Sequence, residues 1–395
     1  MTGLLRVEEA QARIFALARP LLRETLPLPG TIGRFLAEPL IARRSQPAAA
    51  LAAMDGYAIR FADLPGPWRF SGSIAAGQWP DRSIAAKEAM RIFTGAPLPG
   101  GADTVLVQED AVADADVITL TGEGPALAGQ HVRAAGSDFN ESAALLAIGS
   151  QVTPAGVALA AMAGYAALSV GTMPHVAIIT TGDELVAPGA PVGRAQIPES
   201  NGVMLAALLA RVPTTLGTMT HVGDDRAAII DAIHDASGAH DVIVTIGGAS
   251  VGDHDHVHAA ITSLGAPPDF WKVAMRPGKP LMAARLGRAM ILGLPGNPAS
   301  AFVTAHLFLL PLIRYLAGAS APLPAIAHAP LGSDLGPGGQ RRDYLRAVFD
   351  GHGLLPCGNQ DSGGLASLAA ANALLIREAG ATAQTAGTLA PYIVI

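Results

Sequence analysis

The sequence predicts an α/β protein of several domains, organised around a doubly wound parallel sheet with helices on both faces. Three observations carry this. The chain has 395 residues, more than one ordinary domain holds. Three apolar runs between residues 175 and 316 each end in a glycine-bearing turn ahead of a helical pattern, which is the texture of βα units. On either side of that region the apolar runs are short and broken by Gly and Pro, and a Pro-rich stretch, Ala321-Pro322-Leu323-Pro324, reads as a linker.

Taken in order, Leu4, Leu5, Ile14, Leu17, Leu21 and Leu22 recur at helical spacing, so the chain opens on an amphipathic helix. Arg6, Glu8, Glu9, Arg13 and Arg19 interrupt any signal-peptide core. Residues 47–138 form a β-rich module, with runs such as Arg91-Ile92-Phe93 before Thr94-Gly95 and Thr104-Val105-Leu106-Val107. Thr153-Pro154 then reads as an N-cap and first-turn proline, starting a small-residue helix that ends near Gly164 and is expected to pack with the N-terminal helix. The uncharged stretch 142–174 is interrupted by Ser150, Gln151, Thr153 and Pro154, leaving less than the roughly 20 apolar residues a membrane span needs.

From His175 the strands are Val176-Ala177-Ile178-Ile179, Asp241-Val242-Ile243-Val244-Thr245-Ile246 and Ala289-Met290-Ile291-Leu292, followed by helices from Asn201, from about Val257 and from Pro298 to Leu316. The segment after the linker alternates short apolar runs with Gly and Asp turns, which suits a small β-barrel or sandwich.

Composition narrows the function. Half of the residues are hydrophobic and 15% charged, as in a globular chain. A net charge of -6 without a dense Lys/Arg run argues against a nucleic-acid backbone as the main partner. The single cysteine, Cys357, excludes an internal disulfide and suits a reducing compartment; a packed thiol is a better reading of it than a nucleophile.

Ligands of open α/β sheets bind outside the carboxyl ends of the strands, where backbone N–H groups favour anions. Gly247-Gly248-Ala249-Ser250-Val251-Gly252-Asp253-His254-Asp255 sits at such a place. Its glycines allow a phosphate close to the backbone and Ser250 adds a hydroxyl; the plain alternative is an ordinary strand-to-helix turn. Thr181-Gly182-Asp183-Glu184 ends the first strand in the same way, so Glu184, Asp224 and Asp255 can converge around a cation, although Asp224 and Asp225 also suit caps of the helix from Arg226. Lys272, Arg276 and Lys279 surround a Pro-Gly turn in a charge-poor stretch and make a candidate oxyanion site, against the alternative of a solvated basic loop. His254, His256 and His258 alternate with acids, but a turn into a helix scatters them, so a histidine metal site is the weaker reading.

Together these segments resemble the molybdopterin molybdenumtransferase family, whose animal relative is gephyrin. The resemblance covers nearly the whole chain. It rests on Met54-Asp55-Gly56-Tyr57-Ala58, Thr94-Gly95-Ala96-Pro97, Thr181-Gly182-Asp183-Glu184-Leu185, the Ser250 loop, Pro277-Gly278-Lys279-Pro280, Leu294-Pro295-Gly296-Asn297-Pro298 and Asn359-Gln360-Asp361-Ser362-Gly363. It implies an elongated helical domain from residues 1–46 and 139–172, a β-rich lid of 47–138, a pterin-binding α/β domain of 173–319 and a C-terminal β-barrel of 320–395. It also implies a cytoplasmic homodimer with a shared active-site cleft, and transient contact with the adenylyltransferase and with recipient molybdoenzymes.

The resemblance places functional positions on Asp55, Asp138, Glu184, Asp224, Asp255, Lys272, Arg276 and Ser362, with Thr94, Gly247, Gly248, Ser250, Gly252, Lys279, Pro295 and Asn297 as further substrate and phosphate contacts. The chain departs from the family at Ala50-Leu51-Ala52, where polar residues are usual, at Ser137, where an acid is common, at Arg276, where Lys is frequent, and at His254 and His256, which replace a more aromatic neighbourhood. The implied reaction exchanges the AMP of adenylyl-molybdopterin for molybdate. Molybdate, a dianion, belongs with the Lys272 to Lys279 turn, and Mg2+ with the carboxylates Glu184, Asp224 and Asp255. The alternatives are an adenylyltransferase-like enzyme, which is typically one short domain, and a gephyrin-like scaffold without insertase activity.

Overall fold

A computed structural model describes residues 4–247 and 256–395. Its centre is a six-stranded sheet. The strands Thr215–Val222, His175–Thr181, Val242–Ile246 and Ala289–Leu294 lie side by side in parallel. Pro280–Leu286 and Phe270–Lys272 continue the sheet antiparallel, so the sheet is mixed, not wholly parallel as the sequence suggested. A short turn at Gly287 and Arg288 folds Pro280–Leu286 back on Ala289–Leu294, a connection that only antiparallel neighbours can make.

Alternate side chains sort to the two faces. Val176, Ile178, Val242, Val244 and Leu292 pack on the side of helices Asn201–Leu209 and Pro298–Leu316. Ala177, Ile179, Ile243 and Ile291 pack on the side of Arg226–Ala239 and His256–Ser263. Burial on both faces explains why these strands read as continuous apolar runs. Each fully buried Val, Leu or Ile contributes roughly 1.5–3 kcal/mol. The 19-residue Pro298–Leu316 is long and apolar enough to cross a bilayer, yet 83% of its apolar window is buried inside the protein.

The N-terminal helix spans Val7–Leu17, shorter than the leucine spacing suggested. Ala18 is already extended as the C-cap, and Pro20 keeps Arg19 out of helical geometry, so the helix cannot resume; Leu22 is left exposed. Nor does this helix pack with Pro154–Met162. Val7, Ala10 and Ile14 join the core of the α/β domain, and Gln11 Nε2 donates to the Leu307 carbonyl at 2.9 Å. Pro154–Met162, capped by Thr153 Oγ1 at 3.1 Å, instead covers the antiparallel pair Arg23–Pro27 and Ala167–Gly171. Beyond Val7–Leu17, residues 23–46 and 139–172 hold short ladders, the 3-10 turn Leu28–Thr31 and the α-helix Pro154–Met162.

Residues 51–120 hold a second six-stranded sheet, whose core includes Ile74, Met90, Ile92 and Val105. Leu51–Ala52 pairs with Val132–Arg133, and Ala52 is fully buried, so the apolar Ala50-Leu51-Ala52 departure serves packing. In the C-terminal unit, strands Ala327–Pro330, Leu389–Val394, Ala373–Arg377, Arg342–Phe349 and Leu354–Pro356 follow one another in space. A bridge from Leu331 to Leu354 joins the two ends, which makes it a barrel and not a sandwich. Arg342 fastens the barrel by pairing with Glu8 of the N-terminal helix and with Glu378.

Candidate active site

Two cavities with common walls lie at the carboxyl edge of the central sheet. The first, of about 450 Å³, is lined by Thr181, Glu184, Asn201, Gly247, Pro295 and Asn297 among others. Gly247 has φ +94°, and a Cβ there would stand 2.7 Å from the Thr181 carbonyl oxygen, so only glycine fits. Asn201 Nδ2 donates to the Gly296 carbonyl at 2.6 Å, tying the first helix to the turn after the last parallel strand, while its buried Oδ1 has no partner among the described residues.

The second cavity, of about 600 Å³, shares Pro280, Asn297 and Ser300 with the first and adds Arg276, Lys279, Arg341 and Ser362. Its turn is built from both domains. Met275–Arg276 pairs in parallel with Arg342 and Asp343 of the barrel, and Arg341 Nη1 donates to the Met275 carbonyl at 3.2 Å. Gly278, at φ +100°, turns the chain so that Arg276 and Lys279 line one cavity. Arg276 Nε stands 4.0 Å from Asp343 Oδ1.

Ser362 reaches this cavity because the barrel core holds its loop. Arg346, fully buried, donates from Nη2 to the carbonyls of Asn359 at 2.8 Å and Asp361 at 2.9 Å. Gln360 adds bonds to the Arg346 backbone in both directions. Ser362 Oγ then accepts from Asn297 Nδ2 at 2.9 Å, and its carbonyl accepts from the Ala299 N–H at 2.9 Å, at the start of the helix from Pro298. That helix start lies against both cavities, where its dipole favours negative charge.

The carboxylates are more spread. Glu184 lines the first cavity. Asp224 follows Val222, the register partner of Thr181, and exchanges backbone bonds with Asp183: the Asp224 N–H donates to Asp183 Oδ1 at 3.1 Å and the Asp183 N–H to Asp224 Oδ2 at 3.4 Å. Asp225 caps its helix, accepting from the Ala228 N–H at 2.8 Å. No three His, Cys, Asp or Glu groups stand together as a metal set among the described residues. Gly248, Ser250, Gly252 and Asp255, with Asp253 and His254, lie outside the described residues.

Lys272 lines a third cavity, of about 540 Å³, with His258 and Trp271, its Nζ 4.8 Å from the Trp271 ring centre. Asp55, Thr94 and Asp138 line neither of the joined cavities. Asp138 is exposed. Thr94 donates its backbone N–H and its hydroxyl to Asp55 Oδ1, both at 2.7 Å. These bonds, with the Arg91 guanidinium nearby, hold the Asp55 carboxyl below the usual carboxylate range.

Family models match along the chain: a MoeA N-terminal region (domain I and II) over residues 5–164, a probable molybdopterin binding domain over 177–315 and a MoeA C-terminal region (domain IV) over 328–395. A molybdopterin molybdenumtransferase of Staphylococcus aureus strain COL is 30% identical over 392 residues, spanning 96% of this chain and 93% of the relative. Its counterpart in Nostoc sp. strain PCC 7120 is 34% identical over 374 residues, spanning 90% and 85%. The chain belongs to the molybdopterin molybdenumtransferase family. It is a transferase of molybdenum-cofactor biosynthesis. The crystal structure of a Pyrococcus horikosii MoeA protein superposes with a TM-score of 0.81 at 26% identity over 99% of each chain. A second MoeA structure, from Pyrococcus horikoshii OT3, at 23% identity, shares the fold with a TM-score of 0.85 over the full length of both.

Within one chain of this transferase the structure brings Glu184, Gly247, Pro295, Asn297, Arg276, Lys279 and Ser362 to the joined cavities. Asn201, Ser300 and Arg341 line them too, and sequence reasoning does not find them. The sequence marks Asn201 only as the first residue of a helix, and the Gly338-Gly339-Gln340-Arg341 stretch is the one available signal for Arg341.

Proposed function

We propose that the joined cavities hold adenylyl-molybdopterin and molybdate, and that the enzyme releases AMP as molybdate is taken up by the pterin. The observation that carries this is the shared helix start at Asn297 and Ser300, which lies between a strand-end cleft and a pocket with Arg276, Lys279 and Arg341. The pterin nucleotide fits the first cavity: Gly247 permits close backbone approach, and Asn201 Oδ1 offers an acceptor to an N–H-rich ring. Molybdate fits the second, where Arg supplies a planar fork and Lys a point charge. Aligning the two anionic partners and neutralising their charge is the main work of these side chains.

Glu184 and Asp224 stand just past the ends of hydrogen-bonded strands and present hard oxygen donors, so with Asp255 they are the residues that would hold Mg2+. Held by these carboxylates, Mg2+ would supply Lewis-acid stabilisation of the negative charge that develops as the pyrophosphate is cleaved. The positions of Asp55, Thr94 and Asp138 away from both cavities of their own chain suit a cytoplasmic homodimer in which the lid of one copy covers the cleft of the other. Contacts with the adenylyltransferase that supplies the substrate and with the molybdoenzymes that receive the product would be transient. The test supplies adenylyl-molybdopterin, Mg2+ and molybdate and measures AMP and active cofactor. AMP release that ignores molybdate overturns the insertase reading, and no release at all favours a scaffold.

Thr94 offers a check on the lid. Its bonds keep Asp55 ionised to lower pH, so activity that needs the carboxylate should fall only as pH drops through that lowered pKa. In Thr94→Ala the hydroxyl bond is lost and the backbone bond stays, so the acid limb of kcat/KM is expected to move upward. An unmoved limb separates Asp55 from the pH dependence.

A further inference from the structure

We propose that a cavity of about 520 Å³, away from the catalytic edge, binds a small organic anion: a phosphate monoester or carboxylate on a compact apolar body. It lies where residues 149–151, the helix Pro298–Leu316, the linker and the end of the barrel strand Leu389–Val394 meet. Phe35, Leu323, Pro324 and Ile393 supply apolar wall, and His306 and Arg314 supply the polar one.

The polar wall is built and incomplete. His306 is 8% exposed and stacks on Phe302 with ring centres 5.1 Å apart, yet its Nδ1 has no hydrogen-bond partner among the described residues. Burial, with Arg211 and Arg314 adding to it, pushes its pKa down to about 4, so near neutral pH the imidazole is an uncharged N–H donor. Arg314 makes one long side-chain bond among the described residues, from Nη1 to the Pro322 carbonyl at 3.5 Å. Neither Arg314 nor Arg211 has an ion pair among the described residues, and burial followed by the charge of Arg211 depresses the pKa of Arg314 with no carboxylate acting against them.

A half-buried guanidinium and a buried imidazole in one cavity wall, with no acid in its lining, stand out in a chain of net charge -6, because a partly desolvated cation is costly unless an anion faces it. A bound oxyanion supplies that partner. The volume falls within the roughly 300–1,000 Å³ of small-molecule sites, and bare phosphate would leave the apolar walls wet. An occupant would touch five separate stretches of chain and add to stability by mass action.

The experiment is calorimetry and thermal melting of the full-length protein with phenyl phosphate, benzoate and, as a neutral probe, benzyl alcohol. The parent carries Arg276→Ala to weaken competition from the basic catalytic pocket. The expected result is one saturable site per chain for phenyl phosphate or benzoate, the tighter of the two identifying the oxyanion. Adding Arg314→Gln should weaken it about tenfold or more, whereas Arg314→Lys, which keeps the charge and loses the fork, should weaken it less. Arg314→Lys keeps a cation in the same wall, so the two variants together decide the question even if Arg314→Gln lowers the unliganded melting temperature. Affinity unchanged in the folded Arg314 variants overturns the proposal, as does benzyl alcohol binding as tightly as the anions.

Discussion

Replacing Arg276 and Lys279 together with Ala is expected to raise the molybdate concentration for half-maximal AMP release by about 30- to 100-fold. A hydrogen bond to a charged group contributes roughly 1.5–3 kcal/mol. Arg276 keeps 57% of its side chain exposed, so solvent screening puts its share at or below the low end of that range. Two such losses give about 2–2.7 kcal/mol, which converts to the stated factor. Binding of the pterin nucleotide should change little, because its cavity is lined by neither residue. Arg276→Lys separates charge from geometry: a small effect means that a point charge suffices, as the Lys frequent in the family suggests, and a large one means the pocket uses the planar fork. Lys272→Ala supplies a contrast, since Lys272 lines a different cavity beside Trp271 and should matter less than Arg276 if the basic pocket alone holds the oxyanion. Should the double variant keep the molybdate requirement of the parent, the oxyanion binds elsewhere.

What the sequence showed of the fold was its buried, locally encoded part. Val242–Ile246 is apolar at four of five positions and buried on both faces, so its texture alone announces a central strand. Thr215–Val222 is not legible because it is an edge strand exposed at most positions, with Gly217 and three threonines where a core strand would carry branched apolar residues. The leucine periodicity at the N-terminus is real but overextended, since the helix ends at Leu17 and Pro20 keeps it from resuming while the leucines continue. The partner of a helix is a long-range property, and nothing local in Val7–Leu17 says that it packs on Leu307 and Phe308.

The candidate site divides in the same way. Motif residues at strand ends, such as Gly247 and Asn297, were legible because topology sends those turns to one edge. Spacing placed Lys272 with Arg276, but the chain turns at Ala274 to form two separate ladders, and the two side chains line different cavities. Arg341 and the Arg346 support beneath Ser362 come from the barrel, and a contact between domains leaves no local periodicity to read.

Two glycines at the cavities are expected to fail differently when given a side chain. Both adopt left-handed backbone, φ +94° at Gly247 and +100° at Gly278, which costs an alanine about 1 kcal/mol or more wherever it sits. At Gly278 the new Cβ would meet Thr304 Cγ2 at 2.5 Å, a methyl group on a side chain. Thr304→Ser removes that methyl, so Gly278→Ala should regain part of its stability when the two substitutions are combined. At Gly247 the Cβ would stand 2.7 Å from the Thr181 carbonyl oxygen and 2.8 Å from its Oγ1. The Thr181 carbonyl is backbone at the end of a central parallel strand, held by pairing with Val222 on one side, so it yields far less readily than the end of a side chain. Gly247→Ala should therefore lose about 2–4 kcal/mol, with no rescue from Thr181→Ala, and should weaken the pterin nucleotide by about tenfold or more as the cleft wall shifts. Urea melts of the single and paired variants and nucleotide titration of those that fold measure both effects. Rescue of Gly247→Ala by Thr181→Ala would show that the hydroxyl and not the carbonyl sets the limit, and wild-type stability in Gly247→Ala would mean that the left-handed turn is not needed to shape this wall.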